Sequence, residues 1–419
     1  MKLYNSNAYI VSVISKLIVV TSSFLSSVLI NRYLGPDLKG QYAYIFSYVG
    51  ILSLILNFGI GQSYTFFKKN LGVNIKQEFI NIFFLQLLVY TVVIIAVNLF
   101  YSNYVLNIIF IASILTQFNS QVGFMAIVSN VNLRNIITVY SVLIHLFLLT
   151  LIYFFSKDNL NLVIIAIIAK LSFDTINLII KNKFLPTTLY VNVQLMKEIL
   201  KFSFFPMLTS LLIVLNYSLD VIILKQYVSF ADIGIYSVGV ALAGMLWVVP
   251  DAFKDVLFSK TSNNDSTKEI VFSIKFNVYF CLVVIIGFIV LGKDFINLFY
   301  GKDYLDAYNV TILLFVGCIP MIFFKMINTL YISIGKQRFA FVILFIAVIG
   351  NVGANYLLIP FMGIEGAAIA SIFSYFTCGI IFLVSFLKKY GIPYREIIFF
   401  SNTEILNLKY LIKNTINKR

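Results

Sequence analysis

Charged residues are scarce in this chain of 419 residues. They make up 11% of the sequence, whereas hydrophobic residues make up 60% and the mean hydropathy is +0.95. Soluble domains carry about 25% charged residues. The composition therefore excludes a water-soluble globular protein.

Histidine and cysteine are also rare. His145 is the only histidine, and Cys281, Cys318 and Cys378 are scattered through hydrophobic stretches. None of these residues has the spacing of metal ligands or of a disulfide framework. We expect no metal site, a hydrogen-bonded interior histidine, and cysteines that pack as small apolar side chains.

Motifs for ATP-driven transport or for glycosyl transfer are missing as well. The chain has no G-x-x-x-x-G-K-[ST] phosphate loop, which argues against direct use of ATP. The predicted outer loops are short and hold no histidine-rich or paired-carboxylate segment of the kind a membrane polymerase needs. The sequence therefore predicts a protein that is not an enzyme and binds no cofactor.

Long apolar runs take up most of the chain. A helix needs about 20 apolar residues to cross roughly 30 Å of hydrocarbon, and continuous runs favour helices over a β-barrel, whose strands alternate. The sequence therefore predicts an all-α integral membrane protein with twelve transmembrane helices. The predicted spans are 8–31, 41–61, 79–100, 104–128, 136–155, 160–180, 203–224, 235–258, 270–292, 306–332, 339–359 and 365–387.

The net charge of +14 is distributed unevenly between the loops. With the N-terminus inside, most lysines and arginines fall on the cytoplasmic side, as the positive-inside rule requires. We therefore expect both termini in the cytoplasm and attraction to lipid headgroups rather than nucleic-acid binding. The first apolar stretch is too long for a signal-peptide core and predicts a retained helix.

The two halves of the chain are related by an internal repeat. Tyr33, Gly40 and Tyr42 match Tyr227, Gly234 and Tyr236 at one constant offset after spans 1 and 7. Six spans in each half keep the same orientation, which predicts two six-helix bundles around a central cavity, related by an axis along the membrane normal. The predicted division is 1–180, 181–202, 203–387 and 388–419: an N-terminal bundle, a cytoplasmic linker with an amphipathic helix, a C-terminal bundle and a basic cytoplasmic tail.

A second match supports the same layout. Ser129 and Arg134, after span 4, correspond to Ser333 and Arg338, after span 10. In the tail, residues 401–404 have the spacing of a capping box, which predicts a short interfacial helix beyond them.

Three lysines lie inside predicted spans. A charge near the bilayer centre costs about 2.5–3.5 kcal/mol, so Lys16, Lys170 and Lys325 suggest a path for an anion. Lys16, on a serine-rich helix, either lines the cavity or extends to the inner interface. Lys325, beside Asn328, has the same two alternatives.

Carboxylates accompany some of these lysines. Asp174 follows Lys170 by one turn, so the two form either a structural ion pair or a switchable pair in which phosphate binds Lys170 and a cation binds Asp174. Asp220 is predicted near the outer end of span 7. The further candidates for coupling or gating lie at the end of span 8, where a solvated helix end is the alternative: Asp251, Lys254 and Asp255.

Other polar side chains have weaker signals. Arg32 is a candidate phosphate contact on the exit side, or a topology charge at the interface. Gln117, Asn119 and Gln121 on span 4 suit sugar hydroxyls, yet hydrogen bonds between helices explain such amides equally well.

The repeat positions resemble a known family. The segments INRYLGPD (30–37), LNYSLDVIIL (215–224), ADIGIYSV (231–238) and IPFMGIEGAAIA (359–370) are similar to the polysaccharide transporter family of bacterial O-antigen and capsule repeat-unit flippases. Its superfamily also holds lipid II flippases and multidrug and toxin extrusion transporters. The resemblance extends over essentially the whole chain.

The resemblance implies movement of an undecaprenyl-pyrophosphate-linked oligosaccharide across the bacterial cytoplasmic membrane, coupled to H+ or Na+. It implies membrane lipids, a polysaccharide polymerase and a chain-length regulator as partners. One position departs from the family pattern: Val221 stands where a basic residue often follows the aspartate that aligns with Asp220. A coupling role for Asp220 by analogy is therefore in doubt.

Three other functions stay open at this point. A drug/cation antiporter of the same superfamily favours an acidic cavity, and a membrane polymerase or ligase needs a large polar outer loop. A structural partner of an assembly machine explains no buried charge.

Overall fold

The computed structural model describes residues 6–71, 75–101, 103–186, 191–261, 267–400 and 404, and this part of the chain contains helices and turns but no strand. Thirteen α-helices and a short 3-10 helix, Lys302–Tyr304, make up the described residues. The α-helices are α1 Ser6–Asn57, α2 Ile60–Leu71, α3 Ile75–Phe100, α4 Tyr104–Ser129, α5 Val131–Phe155, α6 Leu160–Asn182, α7 Val193–Leu224, α8 Phe230–Leu246, α9 Val248–Thr261, α10 Thr267–Phe299, α11 Ala307–Ser333, α12 Gln337–Tyr390 and α13 Tyr394–Ile398.

Two helices are far longer than one membrane crossing. With 52 residues, α1 extends about 78 Å, more than twice the hydrocarbon thickness of roughly 30 Å. Gly35 (φ 63°) interrupts α1 and Gly363 (φ 54°) interrupts α12, and at both points the backbone leaves helical geometry. Positive φ favours glycine, which has no Cβ. Each long helix therefore supplies two spans.

The apolar helices account for the predicted spans. Within the described ranges, nine helical stretches are long and apolar enough to cross a membrane, and the pair α8 and α9, bent by 40°, makes a tenth. Because α1 and α12 each supply two spans, the ten stretches correspond to twelve crossings. The predicted class, an all-α multi-pass membrane protein, is confirmed.

The chain divides into two compact units. The first contains residues 1–225 and 229–234, and the second contains residues 226–228 and 235–419. In the first unit α1 packs on α4, α5 and α7, and in the second α11 packs on α9, α10 and α12. By its contacts α7 lies with the first unit, whereas the sequence assigned span 7 to the second bundle. The predicted bundle boundary stays a prediction.

The linker leads directly into a long helix. Asn192 caps α7 by accepting hydrogen bonds from the backbone N–H groups of Gln194 and Leu195. The amphipathic stretch 194–201 is the first part of α7, which continues through Pro206 to Leu224. A separate interfacial helix is therefore not formed there.

The first repeat is visible as a contact between equivalent residues. A Cβ on Gly40 would lie 1.7 Å from the carbonyl oxygen of Phe230, and a Cβ on Gly234 would lie 2.0 Å from that of Pro36. Pro36 and Phe230 are related by the same sequence offset as the two glycines. The two contacts are thus equivalent to each other, as a local two-fold axis would make them. Only glycine, which has no Cβ, permits so close an approach at these two positions.

The second repeat also falls at equivalent places in the fold. Ser129 ends α4 and Arg134 lies in the first turn of α5, while Ser333 ends α11 and Arg338 lies in the first turn of α12. The predicted tail helix, with the basic residues beyond 404, lies outside the described residues.

Candidate functional site

In the second unit, four charged side chains predicted separately form one group. We call Asp251, Lys254 and Asp255 on α9, with Lys325 on α11, the α9–α11 cluster. Lys325 donates a hydrogen bond of 2.8 Å from Nζ to Asp251 Oδ1. The Nζ of Lys254 lies 3.4 Å from the same oxygen and 4.0 Å from Asp255 Oδ1.

The single tryptophan completes this group. Trp247 lies at the bend between α8 and α9, and its ring centroid is 4.0 Å from the Nζ of Lys325, so the ammonium makes a cation–π contact. Pro250 and Asp251 follow in the first turn of α9. Proline suits that turn because its missing N–H has no helical partner there, and the helix dipole favours an anion at the same place.

Lys325 is held by a carboxylate of a neighbouring helix. Its side chain is 14% exposed, and it contacts Asp251 instead of Asn328, whose Oδ1 is buried without a hydrogen-bond partner among the described residues. Both alternatives for Lys325, substrate contact and extension to the inner surface, stay predictions. The end of span 8 is likewise joined to α11 rather than being a solvated helix end only.

In the first unit, Asp174 is held by an amide rather than by Lys170. The Nδ2 of Asn119 on α4 donates to Asp174 Oδ2 at 2.9 Å and to Thr175 Oγ1 at 2.8 Å. No ion pair joins Lys170 to Asp174 in the part of the chain that the structure describes. The Oδ1 of Asp174 is buried and has no hydrogen-bond partner there.

Basic groups surround this carboxylate on α5 and α6. Lys170 and Arg134 lie within electrostatic reach of Asp174, and Lys170 lies within reach of His145. His145 is 6% exposed, and its Nε2 has no partner among the described residues. The predicted interior position of His145 is confirmed, but a hydrogen bond at that nitrogen is not formed.

Lys16 and Arg32 lie on the surface of α1. Both side chains are exposed, while Ser15, Ser22 and Ser26 of the same helix are buried. These three serines therefore pack inside the first unit, while Ser23 of the same helix is exposed. The exposure of Lys16 is compatible with a cavity and with the inner interface alike.

Two of the three candidate sugar contacts pack inside the first unit. Gln117 is 1% exposed and Gln121 is fully buried, and the Nε2 of Gln121 donates to Gln86 Oε1 on α3 at 2.8 Å. Both amide atoms of Gln117 lack hydrogen-bond partners within the described ranges. Packing between helices explains these two glutamines better than sugar contact does. Asn119 is partly buried and donates hydrogen bonds to Asp174 and Thr175.

Asp220 is more deeply buried than expected. Its side chain is 2% exposed on α7, one turn from Asn216, which is 1% exposed. Asp220 lies one turn before the end of α7 at Leu224, and it is buried there rather than solvated; α7 packs against α1.

One buried lysine was missed by sequence reasoning. Lys275 on α10 is 3% exposed, and its Nζ donates to Glu404 Oε2 at 2.6 Å and to the carbonyl of Phe399 at 3.2 Å. Tyr279 on the same helix donates to the carbonyl of Ile398 at 3.0 Å. The available signal was a lysine within predicted span 9, but its partner is 129 positions away along the chain.

The first unit also contains an apolar cavity of about 440 Å³ between α2, α3 and α7. Ile82 and Val89 of α3 line it together with Leu200 and Phe204 of α7.

All three cysteines are free and buried, as predicted. No group of three metal-ligating side chains occurs among the described residues.

These groups have a definite chemical capacity. The ammonium groups of Lys254 and Lys325 converge on one carboxylate oxygen and present several donors that suit phosphate oxygens. The free oxygen of Asp174 suits a proton or a small cation. Neither group has the nucleophile, base and oxyanion donors that a covalent reaction needs.

Solved structures show what this fold is similar to. The lipid II flippase MurJ, in an inward closed conformation, matches over 93% of this chain and 89% of its own, with 16% identity and a TM-score of 0.73. An inward-facing multidrug resistance MATE family transporter of the MOP superfamily matches over 91% and 98%, with 12% identity and a TM-score of 0.69. MATE in complex with MaL6 matches over 92% and 96%, with 12% identity and a TM-score of 0.62.

No protein-family model matches the sequence, and no curated protein matches it. At these identities the likeness shows the fold alone. The chain therefore has the all-helical membrane fold shared by MurJ and MATE transporters.

Proposed function

We propose that this protein is a flippase that moves an undecaprenyl-pyrophosphate-linked oligosaccharide, an O-antigen or capsule repeat unit, from the inner to the outer leaflet. Alternating access of the two bundles, coupled to H+ or Na+, carries the headgroup across. The protein acts in the bacterial cytoplasmic membrane with both termini inside. A polysaccharide polymerase and a chain-length regulator act beside it.

The observation that carries the proposal is the charge held inside the helices. Lys325 is 14% exposed and Lys170 is partly buried, and both lie in helices otherwise built from apolar residues. A pyrophosphate has a negative charge on each phosphate and cannot enter hydrocarbon alone. Ammonium groups at these depths offer it charge-assisted hydrogen bonds.

The fold supports the same proposal. A lipid II flippase has the fold in common with this chain, and such a fold accommodates a large headgroup while the lipid tail stays in the membrane. The absence of a phosphate-binding loop from the sequence supports an ion gradient as the energy source.

A drug/cation antiporter is the second candidate. MATE transporters share the fold, and Asp174, with one oxygen free, and the buried Asp220 are acidic groups that a cationic drug can use. The two functions differ in the sign of the transported charge. Loss of Lys170 harms anion transport, whereas loss of Asp174 and Asp220 harms cation transport.

The experiment that tests the proposal removes two lysines at once. We expect a Lys16→Ala, Lys170→Ala variant to insert normally into the membrane and to stop translocation in cells that depend on this protein for surface polysaccharide. Lys302→Ala, an exposed lysine of the 3-10 helix, is the matched control and keeps transport. Normal surface polysaccharide in the double variant contradicts the proposal.

A further inference from the structure

The α9–α11 cluster holds two cations around one carboxylate oxygen. Lys325 and Lys254 both approach Asp251 Oδ1, at 2.8 and 3.4 Å. Asp255 lies 4.0 Å from Lys254 and its side chain is 64% exposed, so it neutralises the pair only weakly. The two lysines therefore share the negative charge of Asp251.

Among the described residues, Asp251 is the one carboxylate paired with Lys325. On α11 the thiol of Cys318 is the other titratable group within its electrostatic reach. Helix α10 meets α9 through the stacked rings of Phe276 and Phe253, 4.9 Å apart, and its buried Lys275 is bound to Glu404. When Asp251 leaves the cluster, Lys325 therefore keeps no carboxylate partner in the described part of the chain, and Lys254 keeps only the exposed Asp255.

A pyrophosphate ester can supply the negative charge that these two lysines then need. Each of its phosphates carries a negative charge, and phosphate oxygens accept hydrogen bonds from lysine as carboxylate oxygens do. Asp251 lies in the first turn of α9, where the helix dipole stabilises any anion. The pair between Lys325 and Asp251 is enough to join α9 to α11. Lys254 brings a second ammonium group to the same oxygen, and two ammonium groups side by side suit a ligand with two negative charges.

We propose that Asp251 occupies the phosphate-binding position of Lys325 and Lys254 when no substrate is bound. This inference rests on the proposed function and deepens it. Phosphate displaces the carboxylate from the two lysines, so that either Asp251 or a phosphate occupies them. Binding of pyrophosphate and the ion pairs of Asp251 therefore weaken each other.

The single tryptophan makes this testable without a label. Trp247 is the only tryptophan of the chain, and its ring is 4.0 Å from the Nζ of Lys325. Inorganic pyrophosphate is titrated into the purified full-length protein in detergent at one fixed pH, and tryptophan fluorescence is recorded. The variants are Asp251→Asn, Lys325→Gln and the control Asp303→Asn, an exposed carboxylate in the 3-10 helix.

We expect Asp251→Asn to bind pyrophosphate about tenfold more tightly than the wild type, because the variant lacks the anion that competes for the two lysines, and a tenfold effect is within the usual range of coupling between two ligands. Both proteins are measured at the same pH, so the ratio of the two affinities cancels the ionisation of pyrophosphate itself. Lys325→Gln loses the fluorescence change, and Asp303→Asn behaves as the wild type. If Asp251→Asn does not fold, Asp251→Ser provides the same comparison.

An affinity ratio of one between Asp251→Asn and the wild type overturns the inference, and so does pyrophosphate binding that survives Lys325→Gln. Flux of a lipid-linked oligosaccharide into wild-type proteoliposomes is measured in parallel. Flux together with a ratio of one removes the role of Asp251 and leaves the proposed function intact. A ratio of about ten without flux removes the proposed function while the anion site stands.

Discussion

Lys325 and Asp251 are 74 positions apart in sequence, yet the Nζ of the lysine lies 2.8 Å from the Oδ1 of the aspartate. The pair joins α11 to α9 within the second unit, with Trp247 over the ammonium. It joins an interior lysine and a charged helix end, which are separate in sequence, into one cluster, the one for which we propose exchange of a carboxylate for a phosphate.

Breaking this pair also has a consequence for stability. We expect Asp251→Asn to lower the free energy of unfolding by about 1–2 kcal/mol, because Lys325 loses its carboxylate while the half-exposed aspartate limits the effect. A second change, Lys325→Met, restores stability by removing the uncompensated cation. The three buried free cysteines make a thiol-reactive dye a reporter of thermal unfolding. Equal melting of Asp251→Asn and the wild type contradicts this prediction.

Asp174 is the second carboxylate expected to bind a cation. Asn119 binds one oxygen, and the other is buried with no partner among the described residues, so a proton or a cation would satisfy it. We expect Asp174→Asn to lower flux and to flatten its dependence on pH, measured in proteoliposomes with an imposed gradient. Asp158→Asn, in the exposed loop after α5, is the control. Full flux with an unchanged pH profile in Asp174→Asn removes the switchable-pair hypothesis.

The glycine contact gives a sharp steric prediction. Gly40→Ala places a methyl group 1.7 Å from the carbonyl oxygen of Phe230, so we expect a loss of about 3 kcal/mol in stability. Gly123→Ala is the control, because a Cβ there has no neighbour within 4 Å and alanine favours a helix by about 1 kcal/mol. Thermal unfolding in detergent compares the two variants. A Gly40→Ala protein as stable as the wild type shows that the two segments are not in contact.

Lys275 and Glu404 are expected to stabilise the end of the chain. Because Lys275 is 3% exposed, Glu404→Gln leaves a buried cation without a negatively charged partner, with the Phe399 carbonyl and the Phe400 ring beside it, and costs about 2–3 kcal/mol. Adding Lys275→Met recovers most of that loss. A double-mutant cycle by thermal unfolding measures the coupling. Additive effects of the two substitutions show that the ion pair contributes nothing.

The sequence predicted the spans and the repeat because both depend on local composition. Length and hydropathy set the helices, and the glycine pattern marked a contact that only glycine allows. The pairing of interior charges was harder to predict. Lys170 and Asp174 share a helix face at i,i+4 spacing, yet Asn119 on another helix holds the carboxylate.

Lys325 and Lys275 show the same limit. Each has its partner on a distant segment, and helix packing rather than sequence spacing brings the charges together. The serines of α1 show a related limit, since periodicity tells which residues share a face but not what that face contacts. Burial therefore follows from tertiary packing, which the sequence of a single span does not specify.

The central claim is that this protein moves an anionic lipid-linked sugar. The most direct measurement is transbilayer movement of a fluorescent polyprenyl-pyrophosphate oligosaccharide in proteoliposomes that contain the purified protein, read by quenching from outside. We predict movement that accelerates with an imposed ion gradient and that the Lys16→Ala, Lys170→Ala variant lacks. No movement of this substrate by the wild-type protein, with gradient-driven transport of a cationic drug instead, would contradict the account.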